Sequence, residues 1–467
     1  MNVFQKYALS RANDVYVISC LDETTMMFAK SIRAAKPNAS VFICNFPKTA
    51  SYNETKTQNE KKTYRLIDVN AKILEPDLFS SDANIRFILM NPSEEKNLSD
   101  ALRLIEQFRG KKYAEIYTFC ASVESECILD TIDKGQTTVS GVRPIKVRRV
   151  NTIRNQVYEY LFNNSLFESV SIEYDEKIIS VLIVGMGRFG AEILKAVLWC
   201  GQMDNYVLRV NVIDKDPDIE SEFYRQCPGI RQRGFLPRNG EDYYEISFHG
   251  GVEVHSEKFL DVLHGIPNAT WAFVNLGTES ENIETAIRLR SVYSGIQIDE
   301  GKEPNHSIDK IQMPRIVVAV QNVQKAILLR NNALVNFKNQ HYQIDALGSD
   351  AELFSYDNLF ASKMEHLALT AHLQWGDAES FEKFEYYRRS SMASAIHKKY
   401  RDALMNDADL KAALEHKRWN AYMRSTEGYS FGIVRDDLAR RHPLLVRYDN
   451  LSSVEKAKDE KLNNYSF

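Results

Sequence analysis

Short apolar runs, separated by longer stretches with helical spacing, recur along the first three quarters of the chain. In residues 14–162 the runs are DVYVISC (14–20), SVFICNF (40–46), IRFILMN (85–91), EIYTFCA (115–121) and IKVRRVN (145–151). Between them lie amphipathic segments such as SDALRLIEQF at 99–108. The scheme repeats further on. SVLIVGMG (180–187), RVNVIDKD (209–216), TWAFVNLG (270–277), RIVVAVQN (315–322) and HYQIDALG (341–348) predict strands, and AEILKAVLWCG (191–201) and ENIETAIRLRSVY (281–293) predict helices. Alternating strands and helices predict parallel sheets covered by helices on both faces, because parallel neighbours need a crossover. After about residue 355 the strand runs stop. SKMEHLALTAHLQWG, FEKFEYYRRSSMASAIHKKYRDAL and DLKAALEHKRWNAYMRSTEG predict helices, the last ending near Gly428.

The two strand-rich segments also match each other. SEEKNLSDALRL (93–104) aligns with TESENIETAIRL (278–289), and EIYTFCASVESECIL (115–129) with RIVVAVQNVQKAILL (315–329). These matches fall at equivalent points of the strand order, which reads as an internal duplication. Two inserts interrupt the second segment: a loop-rich stretch over 219–250 and a polar loop over 299–314. The expected division is an α/β domain over 1–165, a second over 166–355, a helical connector over 356–405 and a small, mostly α-helical domain over 406–467.

VLIVGMGRFG at 181–190 places Gly185, Gly187 and Gly190 as G-x-G-x-x-G between a strand and a helix, with an acidic strand end at Asp214. Gly185 allows a tight turn, Gly187 lets backbone approach a pyrophosphate, and Gly190 lets helix and strand pack closely. The helix start offers unpaired N–H groups and a positive dipole end to phosphate. Arg188 and Phe189 lie within the motif. Asp214 is placed to accept from ribose hydroxyls, whereas Lys215 beside it leaves NAD against NADP undecided. Asn275, Gly277 and Thr278 follow the next strand at the sheet's carboxyl edge. They read either as ribose or phosphate contacts or as an ordinary loop and helix cap. These spacings predict a Rossmann-type nucleotide-binding domain. The equivalent turn of the first segment, SCLDETTMMF (19–28), has no glycine, and its Cβ atoms obstruct phosphate. That segment reads as a degenerate Rossmann-like domain.

Composition narrows the classes. The 467 residues, 44% apolar and 26% charged, describe an ordinary multidomain globular protein. A net charge of −4 gives no general attraction to nucleic acid or acidic membranes. No apolar run reaches the roughly 18 residues of a bilayer crossing; the nearest, 178–201, is broken by Arg188, Glu192 and Lys195. The N-terminal residues lack a basic-then-apolar signal. Six cysteines without a C-x-x-C pair read as buried apolar residues in a reducing cytosol. The expectation is a cytoplasmic protein with no membrane insertion and no nucleic-acid partner. Arg225, Arg231, Arg233 and Arg238 in the first insert read as solvated loop charge or as a patch for an anionic partner.

Near the C-terminus, His416, Trp419 and Asn420 share one helix face at i, i+3 and i+4, with Arg424 a turn further. Tyr429 follows the helix end, and the Tyr448-Asp449-Asn450 turn brings the chain back. Two readings stand: a tryptophan-anchored core with a hydrogen-bonded histidine, or an aromatic pocket that stacks a planar ring.

The second strand-rich segment resembles the regulator-of-potassium-conductance (RCK, or TrkA-N) domain. The resemblance lies in VLIVGMGRFG, VID at 212–214, NLGTESENIETAIRL at 275–289 and the RIVVAV strand. It implies binding of NAD(H) or an adenine nucleotide coupled to regulation. The C-terminal stretch resembles the ryanodine receptor repeat (RyR) domain. There H-x-x-W-N (416–420), G-Y-x-x-G (428–432), H-P-x-L-V-x-Y-D-x-L (442–451) and K-x-K-D (456–459) appear in order. The combination resembles bacterial proteins that join TrkA-N domains to an RyR domain. It implies ligand sensing in signalling, defence or an ion-linked system, with a second ligand or protein partner at His416, Trp419, Asn420, Arg424, Tyr429 and Tyr448.

Three functions compete: a nucleotide-sensing regulator, an NAD-dependent enzyme, and an interaction scaffold with a vestigial cofactor site. His249, His255, His264 and His306 are scattered, and no H-E-x-x-H, G-x-S-x-G or paired-carboxylate motif appears. No catalytic residue and no metal ligand is assigned, and the regulator is the expected function. Rossmann domains of this kind often pair, so a homodimer is compatible with the reading.

Overall fold

In the computed structural model, the predicted alternation resolves into two parallel sheets with one and the same strand order. The structure describes residues 3–44, 65–66, 74–135, 145–173, 175–231, 244–299 and 313–462. They fall into two compact units. Unit 1 is Met1–Asn155, Asp350–His366 and Gly376–Arg389; unit 2 is Gln156–Ser349, Leu367–Trp375 and Ser390–Phe467.

Unit 1 holds β1 (Asp14–Ile18), β2 (Ser40–Ile43), β3 (Arg65–Leu66), β4 (Asn84–Leu89), β5 (Glu115–Phe119) and β6 (Lys146–Val150), ordered β3-β2-β1-β4-β5-β6 and all parallel. In unit 2 a short β7 (Ser171–Glu173) pairs antiparallel with the start of β8 (Glu176–Val184). There follow β9 (Tyr206–Ile213), β10 (Glu245–His249), β11 (Trp271–Val274), β12 (Arg315–Ala319) and β13 (Ile344–Leu347), ordered β10-β9-β8-β11-β12-β13. Both sheets thus run 3-2-1-4-5-6 in their own numbering, the doubly wound Rossmann order. Its strand sequence reverses beside the first strand and opens a crevice at the carboxyl edge.

Strand alternation builds both faces of the first sheet. Val15 and Val17 point into a core with Leu104, Ile105 and Phe108 from the helix Glu94–Phe108. Tyr16 and Ile18 point the other way, onto Met26, Phe28 and Ile32 of the helix Glu23–Ala35. In unit 2, Leu182, Val184, Ala272 and Val274 face Ala286, Leu289 and Tyr293 of the helix Glu279–Asp299.

Strands β3, β7 and β10 were not expected, nor were the short β14 (Ser430–Phe431) and β15 (Arg441–His442), which pair parallel beyond the point where the predicted strand runs stop. β10 lies inside the insert 219–250, which also contains the helix Ile219–Gln226. As an edge strand with the mixed sequence EISFH, none of it fully buried, β10 has no apolar run to announce it. TWAFVNLG is therefore the fourth strand of its sheet and not the third. Within the first insert, Arg225 pairs with Glu222 and Arg231 with Glu220 at the surface. Arg233, Arg238 and His306 lie outside the described residues, as does most of the second insert.

The likeness between the two segments extends to individual side chains. Asn97 Nδ2 donates to the Phe119 carbonyl at the end of β5 (3.0 Å), and Asn282 Nδ2 to the Ala319 carbonyl at the end of β12 (2.8 Å). Each asparagine also accepts from a backbone N–H six residues earlier, Asn91 and Leu276 respectively. The Glu94 carboxylate accepts from Ser122 N, and the Glu279 carboxylate from Asn322 N. The aligned residues therefore tie the same helix to the same neighbouring strand end in both units.

In unit 2 the helix Ala408–Ser425 lies against the helix Arg188–Cys200. Tyr422 meets Trp199 edge-on at 6.2 Å, and Ser425 Oγ donates to the Lys195 carbonyl. Gly428, with φ +71°, follows the helix end. Among the described residues no helix is long and apolar enough to cross a membrane. Five cysteines are buried, Cys127 is exposed, and none is in a disulfide.

Candidate functional site

The turn from β8 into the helix Arg188–Cys200 is where the glycines decide the geometry. Gly185 has φ +90°, and a Cβ there would lie 2.4 Å from the Asn275 carbonyl oxygen. A Cβ on Gly190 would lie 2.0 Å from the Gly185 carbonyl oxygen. Both positions are closed to any other residue by backbone atoms. Gly187 is different: no atom stands within 4 Å of where its Cβ would be, and it is exposed. It is the N-cap of its helix, and no side chain caps that end. The helix start therefore presents uncapped N–H groups to open space, beside the sheet's carboxyl edge.

Asp214, just past β9, holds the turn from below. Its Oδ2 accepts from Met186 N at 2.6 Å and its Oδ1 from Asp216 N at 2.8 Å. Each oxygen keeps a lone pair for a further donor. Lys215 and Arg188 are exposed and Phe189 is half-buried. The Phe189 ring approaches Gly348, the left-handed residue after β13.

Asn275, directly after β11, is 6% exposed, and both its side-chain Oδ1 and Nδ2 are buried without a hydrogen-bond partner. An amide buried this way costs free energy unless something completes it. Its backbone is the one that Gly185 approaches, so the orphaned amide belongs to the glycine corner. Thr278 is used otherwise. Its hydroxyl caps Glu281 N, and Glu281 Oε2 accepts from the Thr278 N–H and hydroxyl. The cap alternative accounts for it, and the T-x-x-E spacing that announces a capping box is visible in the sequence. Gly277 is exposed beside it.

The predicted C-terminal cluster assembles around Trp419, which is half-buried. Its ring stacks on His416 (centroids 5.6 Å apart, 26°) and meets His442 edge-on at 5.1 Å. Tyr448 and Tyr429 complete the group through His416 and His442. Four of the named residues serve as internal ties. His416 sits between the Val446 carbonyl (2.9 Å) and the Asp459 carboxylate (3.2 Å). Asn420 Nδ2 donates to the His416 and Val446 carbonyls, and Arg424 to those of Gly229 and Leu445. Tyr429 donates to Asp437. His442 and Asp459 were not singled out in the sequence, although both lie inside its quoted motifs. Burial pushes His442 down to about 4 and raises the Asp459 carboxyl.

Beneath this cluster, Glu415 lies fully buried between Arg401 and Arg418. His397, one turn before Arg401, is pushed down to about 3 by burial and by that guanidinium; it contacts the Gln202 carbonyl. Of the scattered histidines, His249 contacts Asn211 and His264 its own helix. Among the described residues no three metal-ligating side chains cluster.

No protein-family model matches the sequence, and no curated protein matches it. Among solved structures, the chain is similar to the crystal structure of a GsuK mutant, with 11% identity over 73% of this chain and 67% of that one, at a TM-score of 0.36. It is also similar to the crystal structure of an N-terminal ketoreductase from a macrolactin assembly line. The identity there is 10%, over 84% of this chain and 85% of that one, at a TM-score of 0.19. Overlaps this loose decide nothing by themselves. The Rossmann-like fold rests on the strand order of the two sheets.

Proposed function

We propose that this protein is a ligand-sensing regulator that binds NAD(H) or an adenine nucleotide at the glycine corner of unit 2. The observation that carries this reading is a pair. The helix start at Gly187 is uncapped and open, and the Asn275 amide beside it is buried with neither atom satisfied. A diphosphate would take the free N–H groups, and the Asp214 carboxylate would accept from a ribose hydroxyl. The RyR-like surface around Trp419 takes a second ligand or a protein partner, and the chain acts in signalling, defence or ion-linked regulation.

The packing supports coupling between the two places. The helix bearing His416 and Trp419 is bonded to the helix that starts at Gly187, through Ser425 and Lys195. Regulation requires that each ligand prefer one arrangement of these helices.

The test is thermal unfolding of the full chain with NAD⁺, NADH, NADP⁺, ATP, ADP and AMP. A nucleotide at 100 times its Kd adds about 2.7 kcal/mol. Gly187→Glu, at a position with room for a side chain, should keep the melting temperature of the free protein and lose the response. Failure of every nucleotide at millimolar concentration defeats the reading.

A further inference from the structure

A cavity of about 490 Å³ lies within unit 2 at the opposite, amino edge of the sheet. It is bounded by the starts of β12 and β13, by Tyr160 on the helix Thr152–Asn163, and by the end of the helix Val323–Arg330. Nucleotides in this fold bind at the carboxyl edge, so this cavity is not part of the glycine corner. Its volume falls in the lower part of the roughly 300–1,000 Å³ range of small-molecule pockets.

The lining carries both signs of charge over an apolar floor. Ile316, Leu329 and Ile344 supply the floor. Asp345 accepts from the Tyr160 hydroxyl at 2.8 Å and from Ala346 N at 2.7 Å, so its two contacts are uncharged donors. Arg315 rests over the Trp271 ring and reaches Glu168 through Nη1 at 3.0 Å, while its Nε is buried without a partner. Arg330 bends back onto the Ala346 carbonyl through Nε and Nη2. Tyr160, Arg315, Arg330 and Asp345 all line this same space.

We propose that this cavity binds a small zwitterion of the amino-acid type, its ammonium on Asp345, its carboxylate on Arg315 and Arg330, and its side chain on the apolar floor. A carboxylate beside two arginines fits a ligand that brings both charges. A phosphate dianion suits the arginines but is repelled by Asp345, and a simple amine brings no carboxylate for the arginines to bind.

The experiment uses the full chain, with thermal unfolding and calorimetry. Its probes are the common amino acids, and for leucine the two analogues that each lack one charge, 4-methylpentanoate and 3-methylbutylamine. At least one amino acid should raise the melting temperature, and its one-charge analogues should bind about tenfold or more weakly. Asp345→Asn keeps the shape and the Tyr160 hydrogen bond. It should abolish the preference for the amino acid over the carboxylate analogue. Arg315→Gln should abolish the preference over the amine. Both variants should keep any nucleotide response, which separates this site from the glycine corner. The proposal is overturned if no amino acid stabilises the protein, or if one binds equally well to all three proteins.

Discussion

In unit 1 the chain leaves β1 through Ser19-Cys20-Leu21-Asp22 and enters the helix Glu23–Ala35 with Asp22 as its N-cap. The Asp22 carboxylate accepts from Thr25 N at 2.7 Å, and Thr25 Oγ1 accepts from Asp22 N at 2.8 Å. In unit 2 the same turn carries Gly187 at the N-cap, with no side chain on the helix end. Both sheets share one order, and the aligned asparagines and glutamates make the same bonds. The units therefore differ at the corner where a ligand phosphate would bind. In unit 1 the helix end is already answered by the chain's own carboxylate; in unit 2 it is left open. An inherited fold does not carry the binding property with it. That property rests on whether the chain supplies its own anion there.

The largest effects test whether the two units rely equally on buried charge. Glu415→Gln removes the partner of two fully buried arginines and should cost about 3–5 kcal/mol by urea unfolding. In unit 1, Glu126 pairs with Arg149 and Arg389 but its side chain is 21% exposed. Glu126→Gln should cost clearly less, because water screens what remains. Equal losses would remove this distinction between the units.

Gly190→Ala drives a Cβ into the Gly185 carbonyl and should cost about 3 kcal/mol, near the upper end for overpacking. Differential scanning calorimetry would register the lowered melting temperature. A neutral result would mean that the corner in unit 2 is as tolerant as the glycine-free turn of unit 1.

Acid should weaken unit 2 before the carboxylates respond. His397 is held neutral down to about pH 3 in the folded protein, against 6.5 when unfolded. Between those values the unfolded chain binds the extra proton, so stability is full above about pH 6.5 and falls as pH drops. At pH 5 the loss from His397 should be about 2 kcal/mol. His442 acts in the same direction over a narrower range. The Glu415 and Glu126 carboxyls, held low by their arginines despite burial, add their losses only below about pH 4.5. His397→Gln should flatten the slope of stability between pH 5 and 6.5; an unchanged slope refutes the assignment.

The smallest effect is at the corner of unit 1. Asp22→Ala should cost about 1 kcal/mol as a lost cap. It should confer no nucleotide response, because the turn still has no glycine to bring backbone close to a phosphate. A gained response would sharpen the comparison to one residue.

Much of this was legible because it is local. Gly185 and Gly190 were readable as backbone requirements, since a tight strand-to-helix turn needs them wherever it occurs. The helix end at Gly428 and the capping box at Thr278 and Glu281 are likewise signals within a few residues. β10 escaped because an edge strand needs no apolar run. The engagement of Asn420 and Arg424 with Val446, Leu445 and Gly229 escaped because those acceptors are backbone atoms, which leave no trace in residue identity. The cavity at the amino edge escaped for a third reason: Tyr160, Arg315, Arg330 and Asp345 are far apart in the chain and form no motif.

By itself the sequence determined the alternation of strand and helix, the two-fold repetition of the plan and the bare glycine turn, since each follows from side-chain size, polarity and spacing over a few neighbours. Tertiary structure alone decided the rest. It left the Asn275 amide without a partner and set Glu415 between two buried guanidinium groups. It also laid the helix Ala408–Ser425 along the one that begins at Gly187. Those outcomes depend on which distant atoms share a space from which water is excluded, and burial of that kind is a property of the folded whole.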